Sequence, residues 1–348
     1  MALADIWFLL IAVLWTGYFV LEGFDFGVGV LLPVVGRTET DRRVAINTIG
    51  PVWDGNEVWL LVAGGATFAA FPEWYASLFS GFYLALLLIL VALIVRGVAF
   101  EFRGKIDSVR WRRNWDVAIV VSSGLPALLW GVAFANIVHG VPLDAEHEFT
   151  GSLLTLLNPY ALLGGLATLA LFTFHGAMFL ALKTTGEVRQ LARAAVAYAG
   201  TAAVAIGGPF LGWTLLDKGV VWTAVPAAIA AAGLLAGLVL TLRGRDGWAF
   251  VSTAVAIVGV TATLFGSLYP YVLPSTTDPA FGLTTVNAAS TPYTLAIMTW
   301  VAVIMTPVVL AYQAWTFWVF RRRIGRADIP PATGLPAAPQ ITPGTTTR

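Results

Sequence analysis

The sequence predicts an all-α integral membrane protein of nine transmembrane helices, with its N-terminus outside and its C-terminus in the cytoplasm. Three observations predict it. Of the 348 residues 58% are hydrophobic and only 11% charged, with a mean hydropathy of +0.81, whereas a water-facing globular surface draws on about a quarter charged residues. Apolar runs of about 20 residues, the length that crosses the hydrocarbon core of a bilayer, recur nine times along the chain. Finally, of the 20 lysines and arginines all but Lys218 fall at the inner ends of the odd-numbered runs or after them. One run added or dropped would scramble that segregation, and positive charge marks the cytoplasmic side.

The first run, Ile6–Leu32, has no basic stretch before it and no small-residue cleavage site after it, so it is expected to remain as a span. It carries Glu22 and Asp25 near its inner end, and Gly23, Gly27 and Gly29 there permit close helix contact. Val52–Phe71 opens on Asp54 and Glu57 before turning apolar, and Trp74–Phe100 ends beside Arg96 and Glu101. Trp115–Val138 follows. After it the loop Gly140–Leu157, with Asp144, Glu146 and Glu148, marks a boundary. Ala161–Leu182 contains His175. Val196–Leu216, Val221–Leu242, Trp248–Tyr269 and Tyr293–Phe320 are plainer and rich in Ala, Gly and Leu. Trp222, Trp248, Trp315 and Trp318 lie near span ends, as in an interfacial aromatic belt. The expected organisation is two four-helix bundles plus one extra helix. Residues 1–150 form a first half with the buried carboxylates, 151–324 a second half of five helices, and 325–348 a Pro-, Thr- and Ala-rich tail too poor in apolar residues to fold.

Composition also excludes chemistry. A net charge of +1 gives no bulk basic character for nucleic acid, and the absence of cysteine excludes disulfides, iron–sulfur clusters and thiolate metal sites. The three histidines, His139, His147 and His175, form no bis-histidine or His/Met haem pair by spacing. A lone intramembrane histidine such as His175 is a haem or metal ligand in some proteins, but a hydrogen-bonded core residue is the favoured reading. The chain has neither a phosphate-cradling loop nor a nucleophile elbow.

The buried charges remain. Glu22 and Asp25 lie three residues apart, as do Asp54 and Glu57, so each pair shares a helix face. The first span leaves the membrane on the cytoplasmic side and the second begins there, so both pairs sit at one depth, together with Arg96 and Glu101. One reading makes them ordinary interfacial residues. Against it, five carboxylates beside Arg96 and Arg103 exceed simple pairing, and an intramembrane acid is by default a candidate for a proton or ion path.

Several blocks carry a family resemblance: "GFDFGVGVLLP", "GPVWDGNEVWLLVAGGATFAAFP", "RGVAFEFRGK", "RWRRNWD", "GVAFANIVHGVP" and "HGAMFLALKTTGE". In this order they resemble subunit II of the cytochrome bd quinol oxidases, the CydB family. They cover most of the first half and the fifth span, while the rest matches in hydropathy and span count. The Ala- and Arg-rich composition with its Pro/Thr tail looks actinobacterial. The resemblance implies a bacterial plasma-membrane complex with a homologous, CydA-like subunit I, which holds haems b and d and the quinol-oxidising loop. That complex oxidises quinol outside and reduces dioxygen to water with protons from the cytoplasm. This subunit is then expected to bind no haem, to stabilise its partner and to help conduct protons. Some members of the family add oxygen access or a bound quinone. Motif matching makes Asp54 the first choice for the proton path, then Glu101, which stands where relatives have Asp, and Arg96. Glu57, Glu22 and Asp25 follow. Trp59 is a candidate for an oxygen route, with apolar packing as its plainer reading.

Two rival readings stand beside this one. A proton-coupled secondary transporter also keeps acids in the membrane, but places them near the midplane of matching halves. A structural stabiliser uses the same acids only to tie helices together.

Overall fold

The computed structural model describes residues 2–331 and 334–336, and helices dominate them. They are α1 (Leu3–Val35), α2 (Glu39–Ile49), α3 (Trp53–Ala70), α4 (Pro72–Gly81), α5 (Tyr83–Phe102), α6 (Val109–His139), α7 (Pro159–Lys183), α8 (Gly186–Lys218), α9 (Ala224–Leu242), α10 (Asp246–Leu268) and α11 (Pro292–Val319). Among the described residues eight helices are long and apolar enough to cross a membrane: α1, α5, α6, α7, α8, α9 with the short turn before it, α10 and α11. Helix α3 stands apart from those eight because its first turns carry Asp54, Asn56 and Glu57.

Two local features differ from the hydropathy reading. The run expected as one span over Trp74–Phe100 breaks at Phe82 into α4 and α5. At that point Phe149 of the loop after α6 packs so tightly on Gly81 that a Cβ there would lie 2.7 Å from the Cβ of Phe149. Helix α2 lies in a stretch that reads as a connecting loop. Its start is a capping box, in which Thr38 Oγ1 accepts from Asp41 N (3.2 Å) and Asp41 Oδ2 accepts from Thr38 N (3.1 Å).

Helix α1 is the axis of the molecule, packing against α3, α6, α7 and α10. Where it crosses α7 there are no side chains between the backbones. A Cβ on Gly27 would lie 2.0 Å from the carbonyl oxygen of Phe172, and one on Gly176 2.5 Å from the carbonyl carbon of Gly27. Lipid supplies no hydrophobic drive for helices to associate, so close approach over small residues does that work. Helices α7, α8, α9 and α10 pack round one another in a ring, and α5 packs on α6.

Helix α11 lies outside, against α1 and α3, and only Leu295 of it is buried. Its first turns are tied by Trp7 Nε1, which donates to Leu295 O (3.2 Å) and Thr299 Oγ1 (3.1 Å). Beyond its far end the chain is stitched to the α7–α8 turn, with Ile324 N donating to Lys183 O (2.9 Å) and Thr185 N to Ile324 O (3.0 Å). The stretch expected as a tail begins one residue later, at Gly325. Arg326 reaches both Asp41 and Glu187 at 2.7 Å. Residues 332–333 and 337–348 of that tail lie outside the described residues.

Candidate functional site

Arg96, on α5, is wholly enclosed, and a guanidinium in such a place needs an anionic partner. Glu22 of α1, equally enclosed, accepts a hydrogen bond from Arg96 Nη1. Glu57 of α3 brings Oε1 to 3.9 Å from the same nitrogen. The rings of Phe26 and Phe100 flank the guanidinium at 4.8 and 5.5 Å. One turn from Glu22, Asp25 is also enclosed, and its Oδ2 accepts from Asn56 Nδ2 at 2.7 Å. Asn56 Oδ1 in turn accepts from Gln313 Nε2 of α11 at 3.0 Å.

Of the acids singled out in the sequence, the fold therefore gathers Glu22, Asp25 and Glu57 round Arg96 and leaves two outside. Asp54 is exposed in the first turn of α3, accepting from Gly55 N at 2.8 Å. Glu101 is exposed as well, because five residues along a helix turn it about 140° from Arg96. Sequence reasoning missed Asn56 and Gln313. The signal was present, since both are amides inside otherwise apolar runs, and Asn56 sits between the two acids of the "WDGNEVW" block.

The cluster holds more acid than its cation neutralises. Glu22 Oε2, Asp25 Oδ1 and Glu57 Oε1 have no hydrogen-bond partner among the described residues, nor do Arg96 Nε and Nη2. The side chain of Glu57 is 23% exposed, so the group runs from the surface inward to Asp25. Chemically it offers carboxylates that can gain and lose protons and a guanidinium that holds them in place.

His175 is fully enclosed with both ring nitrogens engaged. Nε2 donates to Val20 O at 3.1 Å, Nδ1 shares a hydrogen bond with Thr253 Oγ1 at 2.7 Å, and the ring stacks on Phe250 at 4.5 Å. His147 Nδ1 lies 2.9 Å from Phe281 O, and His139 faces Asp217 at 3.6 Å. Trp59 packs over α1, where a Cβ on Gly17 would meet its ring at 2.2 Å. A cavity of about 460 Å³ opens beside it, between α1, α3, α4, α5 and α6, and Trp59 is not part of its wall. Its lining is almost wholly apolar, with Trp15, Trp74 and Trp130 among the rings, and Trp74 Nε1 is buried there without a partner. Leu60 and Leu93 also line it, each three residues from Glu57 or Arg96, so cavity and acid cluster are one helical turn apart.

The rim at this end is a different kind of charge. Arg103 is buried, with Nη1 and Nη2 on the two oxygens of Glu39 (2.8 and 2.9 Å) and Nε on Asp116 (2.6 Å). Arg189 pairs with buried Asp246 at 2.6 Å. The hydrogen bonds from Arg326 hold the Asp41 carboxyl below the usual carboxylate range, with Thr38 adding to the effect and burial opposing it.

Comparison with known proteins shows the family and the fold. A family model described as cytochrome bd terminal oxidase subunit II matches residues 3–320. Cytochrome bd ubiquinol oxidase subunit 2 of Bacillus subtilis is 38% identical over 333 residues, covering 94% of this chain and 98% of that one. Cytochrome bd-I ubiquinol oxidase subunit 2 of Escherichia coli is 38% identical over 362 residues, covering 93% and 96%. The solved bd oxidase from Geobacillus thermodenitrificans contains a chain that matches with a TM-score of 0.73 at 18% identity, over 92% of this chain and 99% of its own, which shows a common fold.

Proposed function

We propose that this chain, which belongs to the cytochrome bd terminal oxidase subunit II family, conducts protons from the cytoplasm toward a haem-bearing partner through the buried acids beside Arg96. It is one subunit of a quinol oxidase complex in a bacterial membrane, which it crosses several times. The complex takes two quinols and one dioxygen to two quinones and two waters. We read nine crossings, counting α3 as the second and α4 with α5 as the third, with the N-terminus outside and the C-terminus inside.

The observation that carries the reading is the excess of carboxylate round one enclosed guanidinium. Glu57, at the half-exposed end, takes up the proton. Arg96 keeps Glu57 and Glu22 within reach of each other, and Asp25 forms the inner end. Asp54 and Glu101, exposed on the same side, serve as entry groups where the partner subunit covers them. We place haems b and d in subunit I, a reading supported by the engagement of both His175 ring nitrogens with Val20 O and Thr253 Oγ1. The apolar cavity fits a quinone, with Trp74 Nε1 as a donor to a ring carbonyl and the leucines round an isoprenoid tail; the same walls would pass dioxygen. A proton-coupled transporter fits less well, because all three gathered acids come from α1 and α3, in one half of the chain.

In the assembled complex, Glu57→Gln and Asp54→Asn are expected to slow oxygen reduction while leaving the haem spectrum intact. Wild-type turnover in both variants across the accessible pH range would remove the relay. Loss of haem would leave the acids a structural role.

A further inference from the structure

We propose that Asn56 and Gln313 are positioning residues for Asp25, and that through them helix α11 sets the state of the acid cluster. This rests on the proton-conducting reading given above.

The Asn56 side chain is fully enclosed, with acceptors at one end and a donor at the other. Asp25 presents a carboxylate oxygen, which accepts, at 2.7 Å from Nδ2. Gln313 presents Nε2, which donates, at 3.0 Å from Oδ1. The amide satisfies both in one orientation only. Turned over, it would set its oxygen against the carboxylate and its NH₂ against another NH₂. Leu21 O is a further acceptor for Nδ2 at 3.4 Å, and Gln313 supplies the donor for the opposite end, so the amide that donates to Asp25 is held at both ends. The Asn56 bond occupies Oδ2 of Asp25 and leaves Oδ1 free to exchange a proton.

The second observation is how little else holds that part of α11. Between Thr299 and Phe320 the Gln313–Asn56 bond is the one hydrogen bond from α11 to another helix among the described residues. Leu295, far along the helix, is its single buried residue. Beside it Phe317 packs edge-on to Phe24 at 6.4 Å, so an outward displacement of α11 has one polar bond to break here, the Gln313 bond. Asn56 Oδ1 is then left enclosed without its donor, and the amide that donates to Asp25 is held from one end only. The seating of an outer helix is thereby coupled to a buried carboxylate.

The test uses the intact oxidase complex, with haem content, quinol KM and turnover measured for each variant. Gln313→Leu removes the donor without adding charge on a half-exposed helix position, so the fold should tolerate it. Turnover should fall about tenfold, the scale of one lost hydrogen bond to a charged group, with KM and haem unchanged. Gln313→Glu gives a signature that mere pinning of α11 does not. When protonated, the new carboxyl donates to Asn56 Oδ1 as Gln does; when ionised, it only accepts. Turnover should approach wild type at the acid end and fall away as pH rises. The charged groups facing this position, Glu22 and Asp25 on α1, Asp54 and Glu57 on α3 and Arg96 on α5, are the same in both proteins, so the difference reports position 313. A wild-type rate in Gln313→Leu together with a wild-type pH profile in Gln313→Glu overturns the proposal. So does loss of haem in both variants, which would make the pair an assembly contact. Glu57→Gln run in parallel separates the two levels. If Glu57→Gln is slow and Gln313→Leu is not, only this inference fails; if Glu57→Gln is also at the wild-type rate, the proton-path reading fails with it.

Discussion

Replacing Gly27 by Ala should separate the two halves of the molecule at their closest point. The added Cβ would sit 2.0 Å from the carbonyl oxygen of Phe172, whereas ordinary contact begins at 3.4 Å, so α1 and α7 must part by about 1.4 Å. Neither neighbour can rotate away, because both contacts are backbone. The same movement lengthens the bond from His175 Nε2 to Val20 O, now 3.1 Å, beyond hydrogen-bond range, and disturbs the stack of Phe24 on Phe179 at 4.0 Å. Overpacking alone costs about 1–3 kcal/mol, and a lost buried hydrogen bond adds about 1 kcal/mol. The sum, roughly 2–4 kcal/mol, is a large share of the stability of a typical fold. Thermal melting of the purified complex, followed by haem absorbance, measures it, with Gly208→Ala as the control because a Cβ there meets nothing within 4 Å. Gly176→Ala should behave like Gly27→Ala, and the double variant should cost less than the sum, since one separation makes room for both methyls. If Gly27→Ala melts with the Gly208→Ala control, the close crossing is not what holds α1 to α7.

Two further outcomes follow from the charges. Arg96→Met leaves Glu22 enclosed without its partner and should destabilise the complex by about 3–5 kcal/mol, while Glu22→Gln in the same chain recovers part of the loss; equal melting of wild type and Arg96→Met would refute the pairing. Asp41, held below its ordinary value by Arg326, contributes stability that is complete above the unfolded carboxylate value near about pH 4 and is lost as pH falls further. Hydrogen exchange at residues 324–329 should therefore stay slow from neutral pH down to that point in the wild type and be fast throughout in Asp41→Asn. Equal protection in the two would show that Arg326 does not anchor the segment.

The features that hydropathy and spacing encode were readable in the sequence. The α1 pair Glu22 and Asp25 follows from a three-residue spacing, and both are enclosed as a shared face requires. The same spacing in α3 predicts a shared face for Asp54 and Glu57, yet one is exposed and the other half-buried. Three residues still leave about 60° between side chains. On a helix at the edge of a bundle that angle decides inside from outside. The rotation of α3 is set by Trp59 over Gly17 and by Asn56 on Asp25, contacts between residues far apart in sequence. The break at Phe82 also lies beside a residue far off in sequence, Phe149 of the loop after α6. Helix α2 was different: its Thr38–Asp41 capping signal stands in the sequence, but a search for apolar runs passes over a polar helix.

The two enclosed arginines separate structural charge from functional charge. Arg103 has Nε, Nη1 and Nη2 all bonded to carboxylate oxygens of Glu39 and Asp116. That is a closed pairing, which fixes α2 and α6 to the end of α5 and gives a proton nowhere to go. Arg96 uses only Nη1 for its hydrogen bond, leaves Nε and Nη2 without partners, and stands among three acids that each keep a free oxygen. For holding helices together alone, this is the worse arrangement, since an unsatisfied polar atom in a buried site costs about 1–3 kcal/mol. One acid and a second hydrogen bond would hold α1 to α5 better. Surplus carboxylate beside an under-used guanidinium makes sense where protons must be taken up and passed on, because each transfer needs an acceptor site that is vacant beforehand. The contrast gives a physical ground for assigning the conducting role to the Arg96 cluster and a fastening role to the Arg103 rim, although both combine arginine with carboxylates at the same end of the protein.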